Sequence, residues 1–198
     1  MSDDEPLSKR EVLSRGLLRL RNAGAQAAEA AIDRVADRLT PQVQRPPGAL
    51  VETSFLVACT RCGECVKACP VDAIQLLDGN AGVAAGTPFL DVNARKPCVV
   101  CEDAPCMPAC PSGALRVIDM RDAVMGTATI DRNRCRPWTG GGTCDRCVKA
   151  CPFVGDAILA DEQGRPYIDP RHCIGCGVCR AACPTFPKSI RVDPPPRF

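Results

Sequence analysis

The sixteen cysteines of this 198-residue chain fall into four groups of four, with none left over. They are Cys59, Cys62, Cys65 and Cys69; Cys98, Cys101, Cys106 and Cys110; Cys135, Cys144, Cys147 and Cys151; and Cys173, Cys176, Cys179 and Cys183. Each group closes on Cys-Pro, and the first cysteines of successive groups stand 39, 37 and 38 residues apart. That is an internal repeat of roughly one supersecondary unit. Cysteine at about 8% lies at the edge of the range that marks a special scaffold, while aromatic residues make up only 4% of the chain. Large side chains are too few to build an extensive core, so the fold must be organised by whatever the thiols hold.

Groups one and four read C-x2-C-x2-C-x3-C-P. This is the bacterial ferredoxin ligand pattern, in which three cysteines bind one iron–sulfur cluster and the fourth reaches a second. Three closely spaced thiolates cap one side of a compact cubane, while the fourth begins a helical turn pointing away. The proline that follows lacks an N–H and suits the first turn of a helix. Group two, C-x2-C-x4-C-x3-C-P, is the same loop lengthened through Glu102-Asp103-Ala104-Pro105, and group three, C-x8-C-x2-C-x3-C-P, is lengthened through RPWTGGGT. Structural zinc uses cysteine pairs separated by longer loops. A disulfide framework needs an oxidising compartment and would not explain four repeats that end in Cys-Pro. All sixteen cysteines are therefore candidate ligands of four [4Fe–4S] clusters.

The flanks repeat as well. Short apolar runs, Ala73–Leu77, Ala114–Ile118 and Ala157–Ala160, follow the first three groups. Gly- and Asp-rich turns come next, then PFLD, ATID and PYID lead to the following group. Each run predicts a two-stranded hairpin joining one cysteine loop to the next, the third turning through Gly164. At the N-terminus, Ser8 and Glu11 form a capping box and Leu7 with Val12 a hydrophobic staple. Leu13, Leu17, Leu20, Gly24, Ala28, Ile32, Val35 and Leu39 then recur at helical spacing. This predicts an amphipathic helix of about thirty residues, followed by the linker QVQRPPG, Gln42 to Gly48.

The formal charge of +2 gives no strong field for nucleic acid, and no apolar run reaches the ~18 residues of a transmembrane helix. Four oxidised clusters with their thiolates, at −2 each, move the formal charge from +2 to −6. Such charge calls for N–H donors and nearby cations, which also set the reduction potential within roughly −700 to +450 mV. Lys67, Lys149 and Arg180 occupy matching places between third and fourth cysteines and are candidates to offset that charge, with solvated side chains as the alternative. Trp138 reads as a cover over a cluster, and His172, the one histidine, as a surface loop residue.

The motifs C-x2-C-E-x2-P-C-x3-C-P and C-x8-C-D-R-C-V-K-x-C-P resemble the ferredoxin-type subunits of periplasmic nitrate reductase and methylamine utilisation systems. More distantly the chain is similar to the four-cluster electron-transfer subunits of molybdenum oxidoreductases. The resemblance spans Phe55 to about Val192. It implies an α+β chain of two bacterial-ferredoxin-like dicluster domains with short hairpins and cysteine loops, preceded by the N-terminal amphipathic helix. It also implies four [4Fe–4S] clusters and electron transfer as the sole activity, with no catalysis of its own. The alternative is an assembly or interaction protein in which the clusters are structural. The implied partner is a redox protein, such as a quinol-oxidising membrane protein or a molybdenum oxidoreductase subunit, and not a nucleic acid.

Relatives of the first kind are exported folded by a twin-arginine signal. Here Ser8-Lys9-Arg10-Glu11-Val12-Leu13 has Lys9 in place of the first arginine, and Arg15, Arg19 and Arg21 break the apolar region. The expected location is cytoplasmic, including association with a membrane through a partner; a degenerate export signal and a periplasmic location are the alternative.

Two regular motifs lie outside and two modified ones inside. That symmetry suggests nested pairing, group one with four and group two with three, which the resemblance also implies. The expected organisation is an N-terminal helix and linker (1–48), outer half-domains (49–92 and 166–198) and an inner domain (93–165). Cysteines 59, 62 and 65 would then share a cluster with Cys183, and cysteines 173, 176 and 179 with Cys69. Cysteines 98, 101 and 106 would pair with Cys151, and cysteines 135, 144 and 147 with Cys110. Consecutive pairing is the alternative, since segments of similar length join all neighbours.

If residues 1–40 form a docking helix, deleting them should leave cluster content intact and weaken binding to the redox partner or change the oligomeric state. Recovery of a mature periplasmic chain cleaved after this segment would establish the export reading instead.

Overall fold

The computed structural model describes residues 42–195. The expected N-terminal helix lies outside them, so the described fold begins with the expected linker. That segment is a buried strap. Gln44 and Arg45 are only 4% and 5% exposed. The Arg45 guanidinium makes a two-pronged ion pair with Glu52 (2.9 and 2.5 Å) and donates to Thr87 Oγ1 and Pro88 O. It also lies 4.7 Å from the Phe55 ring centre. Gln44 O accepts from Leu90 N–H at 2.8 Å, while its side-chain amide donates to Met125 O and Gly175 O, each at 3.2 Å. Gly48 has φ +77°, and a Cβ there would sit 2.1 Å from Arg116 O. Pro-Pro-Gly usually marks a solvent-exposed connection; here its two prolines, both buried, have no N–H to leave orphaned.

Two modules follow. In the first, α1 (Glu52–Ala58) buries Phe55, and the single turn α2 (Glu64–Lys67) starts after left-handed Gly63 and carries Cys65 inward. Strands β1 (Ile74–Leu76) and β2 (Pro88–Leu90) pair antiparallel with Ile74 opposite Leu90. The chain then returns to its own strap. Leu50 N–H donates to Ala114 O at 3.1 Å and Arg116 N–H to Gly48 O at 2.8 Å, so Ala49 lies opposite Leu115.

The second module has the same plan. Its outer pair is β3 (Thr127–Ile130) with β6 (Ile190–Asp193), antiparallel from Thr127 opposite Asp193 to Ile130 opposite Ile190. Between them lie α3 (Arg136–Thr139), α4 (Arg146–Ala150), the hairpin β4 (Ile158–Ala160) with β5 (Pro166–Ile168), and α5 (Val178–Ala182). Its turn bends through Gly164 at φ +71°, as expected. Asp161 Oδ1 accepts the N–H groups of Gln163 and Arg165 there, a side-chain turn that aspartate forms readily. Every strand is three or four residues long, enough to place one or two apolar side chains such as Ile74, Ile158 and Ile190 against the thiols.

The first and third expected hairpins form; the second does not. Ala114–Arg116 is occupied by the strap and Thr127–Ile130 by β6, so the chain between them is a connector. Its short turn, Met120–Asp122, is capped by Asp119. Arg121 fixes it to the second module through Asp156 at 3.0 Å and the Phe153 ring at 5.0 Å. Each module therefore closes on itself. The nested outer half-domains (49–92 with 166–198) and inner domain (93–165) are not what the chain builds.

The modules share a tight interface. Asn93 imitates a strand residue, its side-chain amide donating to Val192 O at 2.6 Å while Oδ1 accepts Val192 N–H at 3.0 Å. Arg180 donates to Asn93 O at 2.6 and 3.0 Å. Cys98 N–H donates to Cys176 O at 2.9 Å. Gly177, φ +83°, lies so close to Val92 that a Cβ would be 2.5 Å from the valine Cβ. Among the described residues no helix is long and apolar enough to cross a membrane.

Replacing Gln44 distinguishes a strap from a linker. Gln44→Ala removes two hydrogen bonds and leaves Met125 O and Gly175 O buried without partners, at a cost of about 1–3 kcal/mol. The expected result is a thermal midpoint lowered by several degrees with cluster content unchanged at low temperature; an unchanged midpoint would mean that the strap does not hold the modules.

Candidate metal centres

The sixteen thiols are all free, and they surround four cavities, four to each. Cys59, Cys62, Cys65 and Cys110 line cavity A. Cys98, Cys101, Cys106 and Cys69 line cavity B. Cys173, Cys176, Cys179 and Cys151 line cavity C, and Cys135, Cys144, Cys147 and Cys183 line cavity D. The fourth cysteine of each group thus crosses to the cavity of its neighbour within the same module. Pairing is consecutive, one with two and three with four, which corrects the nested expectation. The outside-inside symmetry of the motifs records where loops were lengthened, and a lengthened loop does not change which strands pair.

The loops turn the thiols inward at some conformational cost. In the three groups that open with C-x2-C, the residue before the second cysteine is left-handed: Arg61 at φ +59°, Val100 at φ +56° and Gly175 at φ +76°. Glycine adopts this shape freely, whereas a β-branched valine there is strained. The shape throws the Arg61 side chain outward, where it donates to Ala85 O and Val83 O at 3.0 and 2.9 Å. Apolar side chains supply much of each lining, among them Phe55 and Leu115 in A, Ile74 and Leu90 in B, Ile158 and Ile174 in C, and Ile130 and Ile190 in D.

Among the described residues no three Cys, His, Asp or Glu side chains converge closely enough to hold a single metal ion. Four thiols line each shared space, an arrangement that suits a multi-iron cluster. Burial pushes the thiols of Cys65 and Cys147 up to about 11 and those of Cys106 and Cys176 to about 12, with neighbouring thiolates adding to the effect. Cys179 is raised further for the same reasons. Ligation requires thiolate, so loading these cavities releases protons and is favoured as pH rises. Cys110 and Cys183 differ. Burial acts against ionisation there too, yet hydrogen bonds outweigh it and hold both thiols below the ordinary value. For Cys110 these include Leu115 N–H at 3.4 Å and the Ser112 hydroxyl at 3.6 Å, with the Ser112 and Ala114 backbone adding to them; for Cys183 they include the Thr185 hydroxyl at 3.2 Å, with the Thr185 backbone and Ser189 adding to it.

Neighbouring cavities follow the order A–B–C–D. Thiols of adjacent cavities are near enough to repel one another's ionisation, Cys65 with Cys106 between A and B, Cys98 with Cys176 between B and C, and Cys147 with Cys179 between C and D. Cys62, beside cavity A, is the one exposed cysteine.

Other sequence candidates take structural places. Lys67 and Lys149 are exposed and pair with Glu64 and Asp145, both at 2.7 Å, and Arg180 serves the module interface. The arginines that line cavities are Arg61 at A and Arg136 at D. Trp138 covers no cavity directly. It is gripped between Arg132 and Arg165 at 4.2 and 4.6 Å and donates to Pro166 O at 2.9 Å, fixing the glycine-rich insertion to β5, whose Pro166 lines cavity D. His172 is exposed, 3.6 Å from Asp169, a carboxylate held well below the usual range chiefly by Arg171. The hydroxyls of Ser112 and Thr185 were not singled out from sequence, although C-P-S and C-P-T differ visibly from C-P-V and C-P-F.

Residues 58–114 and residues 127–184 each match the 4Fe-4S dicluster domain, in agreement with consecutive pairing. The chain is 41% identical to the methylamine utilization ferredoxin-type protein MauM of Methylophilus methylotrophus, covering 77% of this chain and 71% of that one. It is 38% identical to MauM of Methylorubrum extorquens, over 98% and 92%, and 39% identical to the ferredoxin-type protein NapG of Escherichia coli, over 76% and 70%.

Cys183→Ala removes one wall of cavity D. Paramagnetic resonance of the reduced protein should show it disturbing the same cluster as Cys144→Ala. A Cys183→Ala spectrum matching that of Cys62→Ala would restore the nested pairing.

Proposed function

The chain belongs to the ferredoxin-type proteins built from two 4Fe-4S dicluster domains, and we propose that it conducts electrons along the line A–B–C–D as a non-catalytic subunit of a redox chain. It carries four [4Fe–4S] clusters, and electron transfer is its function. The observation that carries the finer reading is the grouping of sixteen free thiols around four cavities in single file. In this reading each cavity's four cysteines are the ligands: Cys59, Cys62, Cys65 and Cys110 at A; Cys69, Cys98, Cys101 and Cys106 at B; Cys151, Cys173, Cys176 and Cys179 at C; Cys135, Cys144, Cys147 and Cys183 at D.

The cluster, when bound, supplies a one-electron couple. The chain's own residues supply position and insulation. Phe55, Ile74, Ile158 and Ile190, each at most 2% exposed, keep water from the thiols. The Cys98–Cys176 hydrogen bond holds B against C across the module interface, where neither loop is free to drift. At cavity A the exposed Cys62 offers a port for exchange with a partner, and the partner is a redox protein. Candidates are the classes the motifs suggest, a quinol-oxidising membrane protein or a molybdenum oxidoreductase subunit.

Protein purified without oxygen should contain about sixteen iron atoms and sixteen inorganic sulfides per chain, four per cluster. Its broad visible absorbance should bleach with dithionite and return on reoxidation, four electrons per chain. Stoichiometric zinc without sulfide overturns the cluster reading. Four clusters that resist reduction across the accessible range would favour the rival in which they only brace the fold.

A further inference from the structure

We propose that Ser112 and Thr185, by donating hydrogen bonds to the sulfurs of Cys110 and Cys183, make the two terminal clusters, A and D, easier to reduce than the two inner ones. This deepens the electron-transfer reading and rests on the ligand sets and the order given there.

The four Cys-Pro pairs are followed, at one equivalent position, by Val71, Ser112, Phe153 and Thr185. Along the chain, apolar and hydroxyl residues alternate. The crossing of each fourth cysteine rearranges that alternation in space. Cys110, with Ser112, serves cavity A; Cys69, with Val71, serves B; Cys151, with Phe153, serves C; and Cys183, with Thr185, serves D. The line therefore reads hydroxyl, apolar, apolar, hydroxyl.

A ligating thiolate has no proton to give, so the hydroxyls must be the donors. Thr185 is held for the task. Its Oγ1 accepts Ser189 N–H at 2.8 Å and lies 2.8 Å from Ser189 Oγ, which is 1% exposed. With Ser189 N–H donated to Oγ1, the Thr185 O–H has two acceptors in reach, Ser189 Oγ and the anionic sulfur, and the sulfur is the stronger. Backbone N–H groups reach sulfur at end and middle cavities: Leu115 at Cys110 in A, Ala73 at Cys69 in B and Ala128 at Cys173 in C, at 3.4, 3.3 and 3.4 Å, and further backbone groups act on Cys110 and Cys183. A side-chain hydroxyl within hydrogen-bond distance of sulfur is found at Cys110 and Cys183.

Reduction adds one electron and hence negative charge to the cluster sulfurs, and a hydrogen bond to them is stronger after reduction than before. Donors to sulfur therefore raise the potential. A difference in the range of a net hydrogen bond is a several-fold to about tenfold change in the reduction equilibrium, tenfold being 59 mV for one electron. Each transfer passes one electron between neighbouring clusters and moves no proton. Electrons then rest at the ends, beside the partners, and cross the inner pair without lodging there.

The test is an anaerobic potentiometric titration of the full-length, cluster-loaded protein followed by paramagnetic resonance, with iron and sulfide measured on each sample. In the unaltered protein the first two electrons should give magnetically isolated signals, because A and D are separated by the inner pair, and coupling should broaden the spectrum only with the third and fourth. Ser112→Ala and Thr185→Val should each make one of the two early steps up to about tenfold less favourable, and Thr185→Ser should restore it. Val71→Thr, which adds a hydroxyl beside Cys69, should make one late step more favourable, a result independent of whether the Thr185 variant folds. Coupled signals from the first two electrons, or early steps unmoved by Ser112→Ala with four clusters present, overturn the proposal alone. Fewer than four clusters in the unaltered protein overturns the ligand reading and this proposal with it.

Discussion

The fourth thiol of every group serves its neighbour's cavity, and that exchange is what closes each module. A strand pair of three or four residues has little stability in isolation, and two such pairs with a few isoleucines between them make a small core. Exchanged thiols supply what the core lacks, since each cavity is bounded by cysteines from two loops, 22 (Cys151 to Cys173) to 51 (Cys59 to Cys110) positions apart in the chain, and cannot be filled without bringing both loops together. The raised Cys65, Cys106, Cys147 and Cys176 thiols carry the same message from electrostatics. Packed together and buried, they resist ionising until something positively charged occupies the space they share. Metal loading and folding are in this way one process.

Around that exchange the chain arranges its polar groups economically. The buried Arg45 is neutralised by Glu52 and given carbonyl and hydroxyl acceptors, Asn93 substitutes for a strand residue at the edge of β6, and Arg180 satisfies carbonyls from both modules. No buried side-chain polar atom among the described residues lacks a partner. These contacts are structural, yet they set function by fixing where each pair of loops sits relative to the next. The insertion in group three illustrates this. Its glycines give the loop freedom, and the gripping of Trp138 by two arginines removes it again.

Local features were legible in the sequence, and relations between distant segments were not. Four thiol groups, their Cys-Pro endings, the two true hairpins and the left-handed turn at Gly164 all follow from a few adjacent residues. Pairing of the groups does not. The regular and lengthened motifs formed a symmetric pattern, but a loop such as Glu102–Pro105 can be lengthened without altering which segment returns to which. The second expected hairpin failed for the same reason: Ala114–Leu115 looks like a strand and is one, but its partner is the strap some sixty-five residues earlier. That strap was the least legible part. Gln44 and Arg45 beside Pro-Pro-Gly carry every sign of a solvated connection; their burial is explained by Glu52 and Thr87 and by the carbonyls of Met125, Gly175 and Pro88, most of them from distant segments. Arg180, a candidate either to offset cluster charge or to be solvated, answers two backbone carbonyls, one of them from the other module.

The hydrogen bond from Cys98 N–H to Cys176 O has a consequence for how the chain can change over time. It joins the backbone of one loop to the backbone of another, through peptide groups and not through side chains. A joint of that kind is insensitive to which residues decorate it and highly sensitive to register. Point substitutions on the surrounding surface leave it intact, whereas a residue inserted or deleted beside Cys98 or Cys176 shifts donor from acceptor. The two halves, each a complete dicluster module in outline, are consequently not interchangeable cassettes. They are a matched pair, and the match is written in backbone geometry.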